Sequence, residues 1–525
     1  MRTRRLRLWF AFFSVAVFSL VTLGCGSGSN FSNPESSIAA TQNPLVAQYN
    51  VTLPRIEGSV WVEFGLDTSY GRQTSVTPAT AGFGQTVSIL VAGMLPSRTY
   101  HMRAHVDWYP GLSWVDQDQT FTTGAINQAS GIGSPPITLP TLTVTRPNPS
   151  LTPSSGVELL SLQTPVNGHM LGALVTDLTG NVIWYYDVGA GNSPFPIKPL
   201  PNGHFVVLVL TGGLGGVTVL REIDLAGNTI REITPAQVNQ SLQAKGSSIV
   251  IGGFHHDVLP LSNGHWIVLA NEGANFTDLP GYPGTLFVTG DALIDLDPAG
   301  NVAWVWSSLD HLDVNRHPFG LPDWTHSNAV VYTPNDGNLL LSMRNQCWIL
   351  KLDYENGNGA GDILWKLGEG GDFALTGGDP SEWFYGQHFP NILAVDGSQM
   401  TLAVFDDGNN RILDDRGDIC GTPGNPQCQS RGTIYQIEES TRIATLQWHD
   451  SPGLFTFWGG SIGQMINGDV EFDLSQPFFQ DPTSSQVMEV TQSADPEVVW
   501  QMLMQGGNAY RAYRIPSLYP GVNWQ

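Results

Sequence analysis

The segment 297-DPAGNVAWVW-306 decides the fold, because related segments recur along the second part of the chain. In each, a polar or Gly-containing turn leads into an apolar strand that often carries Trp. The others are 177-DLTGNVIWYY-186, 224-DLAGNTIREI-233, 356-NGNGAGDILWKL-367, 440-STRIATLQWHD-450 and 494-ADPEVVWQML-503. Six such segments are typical of four-stranded blades arranged radially. The sequence therefore predicts an all-β chain with a six-bladed β-propeller over residues 153–525.

A second repeated motif is an Asn-Gly turn before an apolar strand, as in 201-PNGHFVVLVL-210 and 262-SNGHWIVLAN-271. Asn and Gly tolerate the positive φ that tight hairpins need. Three histidines follow such turns at one repeat position, so we interpret them as structural: His169, His204 and His265. The recurring tryptophans are assigned in the same way to packing between blades: Trp304, Trp365, Trp448 and Trp500.

The first residues predict export. Residues 1–25 combine arginines, a short apolar run and a small residue before Cys25, which is typical of a signal peptide. The end of this segment, 21-VTLGC-25, resembles a bacterial lipobox, with an ordinary signal peptide or an uncleaved anchor as alternatives. Lipidation of Cys25 would tether a periplasmic or cell-envelope protein to a membrane without a span. The Ser/Gly/Asn-rich residues 26–45 are expected to be a flexible tether.

A small β-sandwich is predicted for residues 46–125, where apolar and polar residues alternate. The phrases FGLDTSYG, LPSRTYHMRAHV and FTTG resemble a fibronectin type III module, with Leu95 and Tyr100 as core anchors. Residues 126–152 are rich in Pro, Ser and Thr, so they are expected to form a linker or a wrapping extended segment.

Composition argues against nucleic acid as a partner. The 525-residue chain has a net charge of −23 and only 23 Lys and Arg, so it would repel a phosphate backbone. Of the 4 cysteines, Cys420 and Cys428 bracket a Gly/Pro loop, which predicts a local disulfide in an oxidising compartment. Cys347 is expected to be a buried small hydrophobe.

Three further histidine motifs differ from the turn histidines because each lies just before an apolar strand: 254-FHHDVLPL-261, 325-THSNAVVY-332 and 387-QHFPNILAV-395. In a propeller the innermost strands line one axis, so residues at their entry points converge. A packing role would not require imidazole in three blades, so we predict a shared site. Arginine nearby favours an anionic ligand over a metal, and no nucleotide-binding motif or cofactor site is found.

Together with SMRNQ and FDDGNNR, these motifs resemble the bacterial arylsulfate sulfotransferase family that does not use a nucleotide donor. The resemblance covers roughly residues 160–520 and implies a six-bladed propeller, a smaller N-terminal β domain and a disulfide near the active site. It also implies a ping-pong reaction between a phenolic sulfate ester and a phenol.

The resemblance assigns roles to individual residues. His388 would be the transiently sulfated nucleophile, His326 and Asn328 would bind the sulfuryl group, and Arg344 would hold its oxygens. His326 could also protonate the leaving phenolate. The remaining family histidine is placed at His255, with His256 as the alternative. Further substrate-binding or supporting candidates are Asp257, Trp324, Tyr385 and Arg411.

Two other functions stay open at this point. One is a noncatalytic surface propeller that binds an aryl or glycan ligand, and the other is a metal-dependent hydrolase or lyase on the same scaffold. The predicted partners are therefore a small aryl sulfate, a phenol and a membrane reached through a lipid, with homo-oligomerisation left open.

Overall fold

The structure is a computed structural model. It describes residues 33–54, 58–79, 84–108, 111–126, 137, 139–163, 171–189, 191–212, 216–376, 383–413, 419–421, 427–477, 481 and 483–524. Within these ranges the fold is all-β, with antiparallel sheets and two short α-helices. The predicted all-β class is thereby confirmed. Cys25 and His169 lie outside the described residues.

Nine N-terminal strands form two sheets around one hydrophobic core. The order in the smaller sheet is β1-β2-β6 and in the larger β4-β3-β7-β8, with β5 also pairing β3 and β9 pairing β7. In β7 every second residue is buried, as expected for a strand with one core face. The strands are β1 (Glu35–Ala40), β2 (Ala47–Thr52), β3 (Gly58–Gly65), β4 (Arg72–Gln73), β5 (Thr77–Ala79), β6 (Thr86–Val91), β7 (Thr99–Trp108), β8 (Leu112–Val115) and β9 (Gln119–Thr122).

Two segments expected to lack regular structure contain strands. The whole of β1 lies in the predicted tether, where its six residues pair with β2. In the predicted linker, β10 (Thr141–Thr145) pairs with a late strand of the chain over residues 501–505. Composition alone missed both strands because the partner strand satisfies their backbone groups. The wrapping alternative therefore describes β10 better than a free linker does.

The other strands of the described residues form six sheets, one of which also includes β10. Its elements are β11 (Val157–Leu162), β12 (Leu171–Thr176), β13 (Val182–Asp187), β14 (Ser193–Pro199), β15 (Phe205–Thr211), β16 (Val217–Ile223), β17 (Thr229–Ile233), α1 (Pro235–Ala244), β18 (Gly253–Pro260), β19 (Trp266–Leu279), β20 (Tyr282–Leu296), β21 (Val302–Ser307), α2 (Ser308–His311), β22 (Ser327–Thr333), β23 (Asn338–Met343), β24 (Trp348–Leu352), β25 (Ile363–Leu367), β26 (Ala374–Leu375), β27 (His388–Asp396), β28 (Gln399–Asp406), β29 (Arg431–Glu438), β30 (Ile443–Asp450), β31 (Ser461–Gln464), β32 (Val470–Ser475), β33 (Ser484–Val490), β34 (Val498–Gln505) and β35 (Ala509–Ile515).

Strand order is simple within these sheets. Four are β35-β11-β12-β13, β14-β15-β16-β17, β18-β19-β20-β21 and β22-β23-β24-β25. The other two are β27-β28-β29-β30, extended by β26, and β31-β32-β33-β34, extended by β10. Because the last strand, β35, pairs with β11, the end of the chain completes its first sheet. We call the strand that begins each of these sheet orders the first strand of its sheet. The first strands contact each other in the cycle β14, β18, β22, β27, β31, β35 and back to β14.

The repeated tryptophans connect neighbouring sheets. Indole N–H groups donate from Trp184 to Leu225 O, from Trp304 to Gly359 O, and from Trp448 to Ser493 O. Trp500 of β34 donates to Leu178 O, which joins the last sheet to the first. Each acceptor lies in or beside the turn that precedes the outermost strand of the next sheet. These contacts agree with a packing role for the recurring Trp residues.

Candidate active site

The histidine motifs come together around the first strands of their sheets. His256 lies on β18, His326 precedes β22, and His388 begins β27. The ring centroids of His256 and His326 are 4.7 Å apart. Tyr510 of β35 lies 6.0 Å from His256 and 5.9 Å from His388 between centroids. Four sheets therefore contribute rings to one cluster.

His388 is a buried imidazole with both ring nitrogens oriented. It is 1% exposed, and its Nδ1 lies 2.6 Å from Oδ2 of the buried Asp407. The backbone N–H of Gly459 donates to His388 Nε2 at 3.2 Å. Because Nε2 accepts a hydrogen bond, the ring proton belongs on Nδ1, where it is donated to Asp407. The tautomer leaves the Nε2 lone pair as the nucleophilic position.

The charges around His388 favour its neutral form. Burial, followed by the positive field of Arg344 and of nearby His326 and Arg511, holds the pKa of His388 well below its ordinary value. Burial also raises the pKa of Asp407 well above the usual carboxyl value. Arg344 opposes that shift, and the Nδ1–H donated to Oδ2 favours an ionised acceptor, so the pair is a carboxylate with a neutral imidazole whose lone pair is kept for bond formation.

Arg344 supplies a cation near His388. It follows β23, and its Nη2 donates to Phe457 O at 2.7 Å while Nη1 donates to Asn345 Oδ1 at 2.8 Å. Its Nε is buried and has no partner among the described atoms. The guanidinium carbon lies 5.2 Å from the ring centroid of Phe319. A fixed guanidinium beside a neutral histidine is suited to an anionic group.

The two histidines of the His255-His256 doublet have different surroundings. His255 Nδ1 lies 2.8 Å from His256 Nδ1, and His255 Nε2 lies 3.1 Å from Asp291 Oδ1. Burial opposes ionisation of Asp291, but His255 and nearby donors outweigh it and lower the pKa of that carboxyl. The ring next to His326 is therefore that of His256, while His255 is anchored to Asp291.

His256 is neutral for the same reason as His388. Burial lowers its pKa well below the ordinary histidine value, and the neighbouring His326, His255 and His388 add to the shift. Its backbone has φ +54°, a left-handed conformation that turns this residue out of the regular alternation of β18. The irregular register between residues 254 and 258 agrees with such a bend.

His326 also has positive φ, at +48°. Its Nδ1 lies 2.5 Å from Oδ2 of Asp323, which is largely exposed. About 29% of the His326 side chain is exposed, against 2% for His388, so His326 stands nearer to solvent. A histidine anchored through Nδ1 and reachable from solvent is suited to carry protons.

Asn328 and Asp257 occupy different positions in the site. Asn328 is fully buried, its Nδ2 donates to Gln387 O at 2.7 Å, and its Oδ1 has no partner among the described atoms. Asp257 is also fully buried, but Lys198 Nζ at 2.7 Å and Arg511 Nη1 at 2.9 Å both contact its Oδ1. The carboxylate of Asp257 is thus already neutralised by protein cations.

Three other candidates from the sequence lie in protein contacts. The indole of Trp324 is 1% exposed and donates to Arg316 O at 2.8 Å. Tyr385 is buried and its hydroxyl donates to Glu369 Oε2 at 2.7 Å, while Arg411 pairs with the buried carboxylate of Asp406. Their predicted contacts with a substrate therefore stay predictions.

The sequence did not single out several residues of the cluster. Tyr510 is buried, and its hydroxyl has no partner among the described atoms. Arg511 is fully buried beside it. Both lie in 509-AYRAYRI-515, which matches neither repeat motif because β35 belongs to the first sheet. Asp407 stood in the quoted motif FDDGNNR, but nothing in the spacing identified it as the partner of His388.

The predicted Cys420–Cys428 disulfide and the buried position of Cys347 are confirmed. Cys420 and Cys428 form a disulfide with Cα atoms 5.4 Å apart, and the Cys420 backbone pairs with Arg411 O and Asn410 N. Cys347 is free and buried, and burial raises the pKa of its thiol to about 12. A thiol that stays protonated at neutral pH is a poor nucleophile.

Neither a metal-ligand cluster nor a membrane-spanning helix is found in the described ranges. His, Cys, Asp and Glu side chains there form no group of three or more suited to a metal ion. In the same ranges, every helix is too short or too polar to cross a bilayer.

Comparisons with known proteins identify a family. The chain resembles a solved Bacteroides caccae protein of unknown function (12% identity, 68% of this chain and 98% of that one, TM-score 0.39). It also resembles the dihydro-heme d1 dehydrogenase NirN (13% identity, 71% and 80%, TM-score 0.31). Such low scores carry no argument, and no curated protein matches. The family model for arylsulfotransferase (ASST), however, matches residues 156–514, so the chain belongs to the arylsulfotransferase family.

Proposed function

We propose that the protein transfers a sulfuryl group from a phenolic sulfate ester to a phenol in two steps, through a sulfohistidine at His388. The observation that carries the proposal is the state of His388: a buried, neutral ring whose Nδ1 is held by Asp407 at 2.6 Å. The family match supports sulfotransferase chemistry in general. The nearby Arg344 supports an anionic substrate group.

In the first step, the Nε2 lone pair of His388 forms an N–S bond as the S–O bond to the phenolic oxygen breaks. The bonding electrons leave with that oxygen, and a proton from His326 converts it to a neutral phenol. Positive charge develops on the imidazole as the N–S bond forms. The carboxylate of Asp407 stabilises this charge through the Nδ1–H, as a buried carboxylate does for an imidazolium.

Attack requires the Gly459 N–H to leave Nε2. The present contact is 3.2 Å long, so a small shift would release the lone pair. The same N–H would then lie close to the sulfuryl oxygens, where a backbone donor stabilises developing charge. Gly459 has φ +71°, and a Cβ there would lie 2.5 Å from Ser475 Oγ, which explains glycine at this position.

In the second step a phenol replaces the first product. His326, now deprotonated, takes the proton of the incoming hydroxyl, whose oxygen attacks sulfur as the N–S bond to His388 breaks. A phenol has a pKa of about 10, so it is a tolerable leaving group and becomes a good nucleophile once a base assists. An alkyl alcohol would be poorer in both steps.

The contacts around Arg344 indicate where the sulfuryl oxygens and the aryl ring of the substrate would bind. Its guanidinium binds the sulfuryl oxygens, which offsets locally the repulsion of an anionic ester by the net charge of −23. The aryl ring then lies near Phe457, which is 39% exposed, and near Phe319. We prefer His256 to His255 as the second histidine of the site, because His255 is anchored to Asp291.

The architecture belongs to the same proposal. The cyclic contacts among first strands and the Trp500 contact to the first sheet support a six-bladed propeller with the site at one end of its axis. Export and lipidation at Cys25, with attachment to a membrane of the cell envelope, are proposed from the leader sequence.

The test is the release of 4-nitrophenol from 4-nitrophenyl sulfate by the purified chain, with phenol as acceptor and EDTA present. We expect release that depends on phenol, survives EDTA and gives parallel reciprocal plots when donor and acceptor are varied. The absence of release with every phenolic acceptor would favour a noncatalytic binding protein. Loss of release in EDTA, restored by a divalent metal, would favour a metal-dependent enzyme.

A further inference from the structure

Arg511 is a buried cation that the proposed reaction steps do not use. It is fully buried, and its Nη1 lies 2.9 Å from Asp257 Oδ1. Its Nη2 donates to the backbone carbonyl of Asn328, and its Nε has no partner among the described atoms. One guanidinium thus joins the first strands of three sheets, β35, β18 and β22.

Asp257 extends this network. Its Oδ1 also contacts Lys198 Nζ at 2.7 Å, and its Oδ2 accepts from the backbone N–H of Val330 at 2.9 Å. Arg511 and Asp257 therefore hold the β22 backbone on both sides of residue 329. Burial raises the pKa of Asp257 less than Lys198 and Arg511 lower it, so the carboxyl is ionised. Burial lowers the pKa of Lys198, and Asp257 only partly opposes that shift. At Arg511, Asp257 and neighbouring tyrosines together outweigh burial and raise the pKa, so Arg511 stays a cation.

The network reaches the nucleophile through Asn328. The Nδ2 of Asn328 donates to Gln387 O at 2.7 Å, and residue 387 immediately precedes His388. The position of Asn328 thereby affects the backbone that carries the nucleophile. The Arg511 guanidinium also lies 4.7 Å from the Phe389 ring and 5.2 Å from the Tyr510 ring. Phe389 follows His388 in the chain, and the Tyr510 ring packs against the His388 ring.

We propose that Arg511 is a positioning residue for sulfuryl transfer: it fixes Asn328 and the Gln387-His388 backbone, and it supplies positive charge beneath the bound sulfuryl group. This inference rests on the proposed function. The two Nη atoms of the planar Arg511 guanidinium contact two groups at once, the Asp257 carboxylate and the Asn328 carbonyl. Lysine lacks the rigid planar fork with which two separate nitrogens make these two contacts, so it would not hold both groups in the same geometry.

The charge of Arg511 has a second consequence. The groups that act on His388 are Arg344, His326, Arg511 and Asp407, with His256 in the same cluster. Arg511 lowers the pKa of both His388 and His256. Its removal should therefore raise the pKa of His388, so that the ring is protonated at higher pH.

Two substitutions separate the geometric effect from the charge effect. Arg511→Lys keeps the charge and loses the fork, so kcat/KM should fall on the order of 10-fold with an unchanged pKa of His388. Arg511→Gln loses both, so kcat/KM should fall on the order of 100-fold and the pKa of His388 should rise. The pKa is read from the acid limb of the kcat/KM profile and, without substrate, from NMR titration of isotopically labelled histidine.

The substrate-free titration keeps this inference distinct from the proposed function. If the wild type released no 4-nitrophenol, the proposed function would fail, while an Arg511→Gln shift of His388 would still show the electrostatic link. Wild-type kcat/KM in either variant, or an unshifted His388 in folded Arg511→Gln, would overturn the positioning role. If Arg511→Gln does not fold, Arg511→Lys alone tests the positioning role. Wild-type kcat/KM in Arg511→Lys would show that the two contacts of the guanidinium are not needed.

Discussion

The histidine–carboxylate pairs at the hairpin turns differ from the pair in the cluster, although the contacts are alike in length. At the hairpin turns, His204 Nδ1 lies 2.7 Å from Glu222 Oε1, and His265 Nδ1 lies 2.8 Å from Asp295 Oδ1. In the cluster, His388 Nδ1 lies 2.6 Å from Asp407 Oδ2. The turn imidazoles are 31% and 25% exposed, whereas that of His388 is 2% exposed and lies near Arg344.

The comparison shows that the pair alone does not define a reactive histidine. The same contact fixes a turn when water screens it, and it orients the proposed nucleophile where burial and cations exclude the imidazolium. The proposed reactivity of His388 therefore depends on surroundings that the turn pairs lack. Substitutions at the two kinds of place test that difference, beginning with the largest effect.

Removal of the buried imidazole should have the largest effect. His388→Ala should lower kcat by at least about 10⁴-fold, because the residue that would receive the sulfuryl group is lost. His265→Ala is the matched control from a turn, and its kcat should stay within about twofold of wild type. Turnover of 4-nitrophenyl sulfate with phenol measures both. Equal losses in the two variants would contradict the distinction.

Loss of the carboxylate charge should have the next largest effect. In Asp407→Asn the amide can donate to Nδ1 and move the ring proton to Nε2, so kcat should fall about 10²–10⁴-fold. Glu222→Gln makes the corresponding change beside His204 and should leave kcat nearly unchanged. Circular dichroism and thermal unfolding control for misfolding. A folded Asp407→Asn with wild-type kcat would show that the carboxylate does not orient the ring.

Removal of the nearby cation should change both rate and pH dependence. Arg344→Met should lower kcat/KM about 10²–10³-fold, because a donor to the sulfuryl oxygens is lost. Arg344 lowers the pKa of His388, so the variant should protonate His388 at higher pH and its acid limb should shift upward. Arg344→Lys keeps the charge and should keep the limb near its wild-type position. A downward shift in Arg344→Met would contradict the electrostatic account.

The smallest effect is expected at the rim of the site. Phe457→Ala should raise KM for aryl sulfates by about 10-fold, since one aromatic contact contributes roughly 1–1.5 kcal/mol. The value of kcat should change little, because the Phe457 carbonyl that accepts from Arg344 belongs to the backbone. Phe287, which is 56% exposed on the long β19-β20 hairpin, provides a control. Equal KM changes in Phe457→Ala and Phe287→Ala would remove Phe457 from the aryl site.

Sequence reasoning identified features that repeat or stand in compact motifs. The turn motifs and their Trp residues predicted the all-β class, and the spacing of Cys420 and Cys428 predicted the disulfide. The three histidine motifs predicted a cluster whose members His256, His326 and His388 do lie together. A local sequence pattern was enough to predict these features, because each one either repeats along the chain or involves residues that are close in sequence.

The sequence could not show contacts between distant segments. Asp257 was predicted to bind substrate, yet Lys198 and Arg511, 59 and 254 positions away, neutralise it, a pairing that only the assembled sheets reveal. Tyr510 and Arg511 were missed because the last strand completes the first sheet and matches neither motif. The choice within His255-His256 depends on Asp291 and on a left-handed backbone, which the doublet itself does not encode.

A rapid-quench reaction of the enzyme with 4-nitrophenyl sulfate and no acceptor is the decisive experiment on the proposed sulfohistidine. We expect a burst of one 4-nitrophenol per active site and a sulfuryl group recovered by peptide mass analysis on His388. Phenol added to the isolated adduct should remove the label and yield phenyl sulfate. An active enzyme with no burst, or a label on another residue that persists in His388→Ala, would contradict the account.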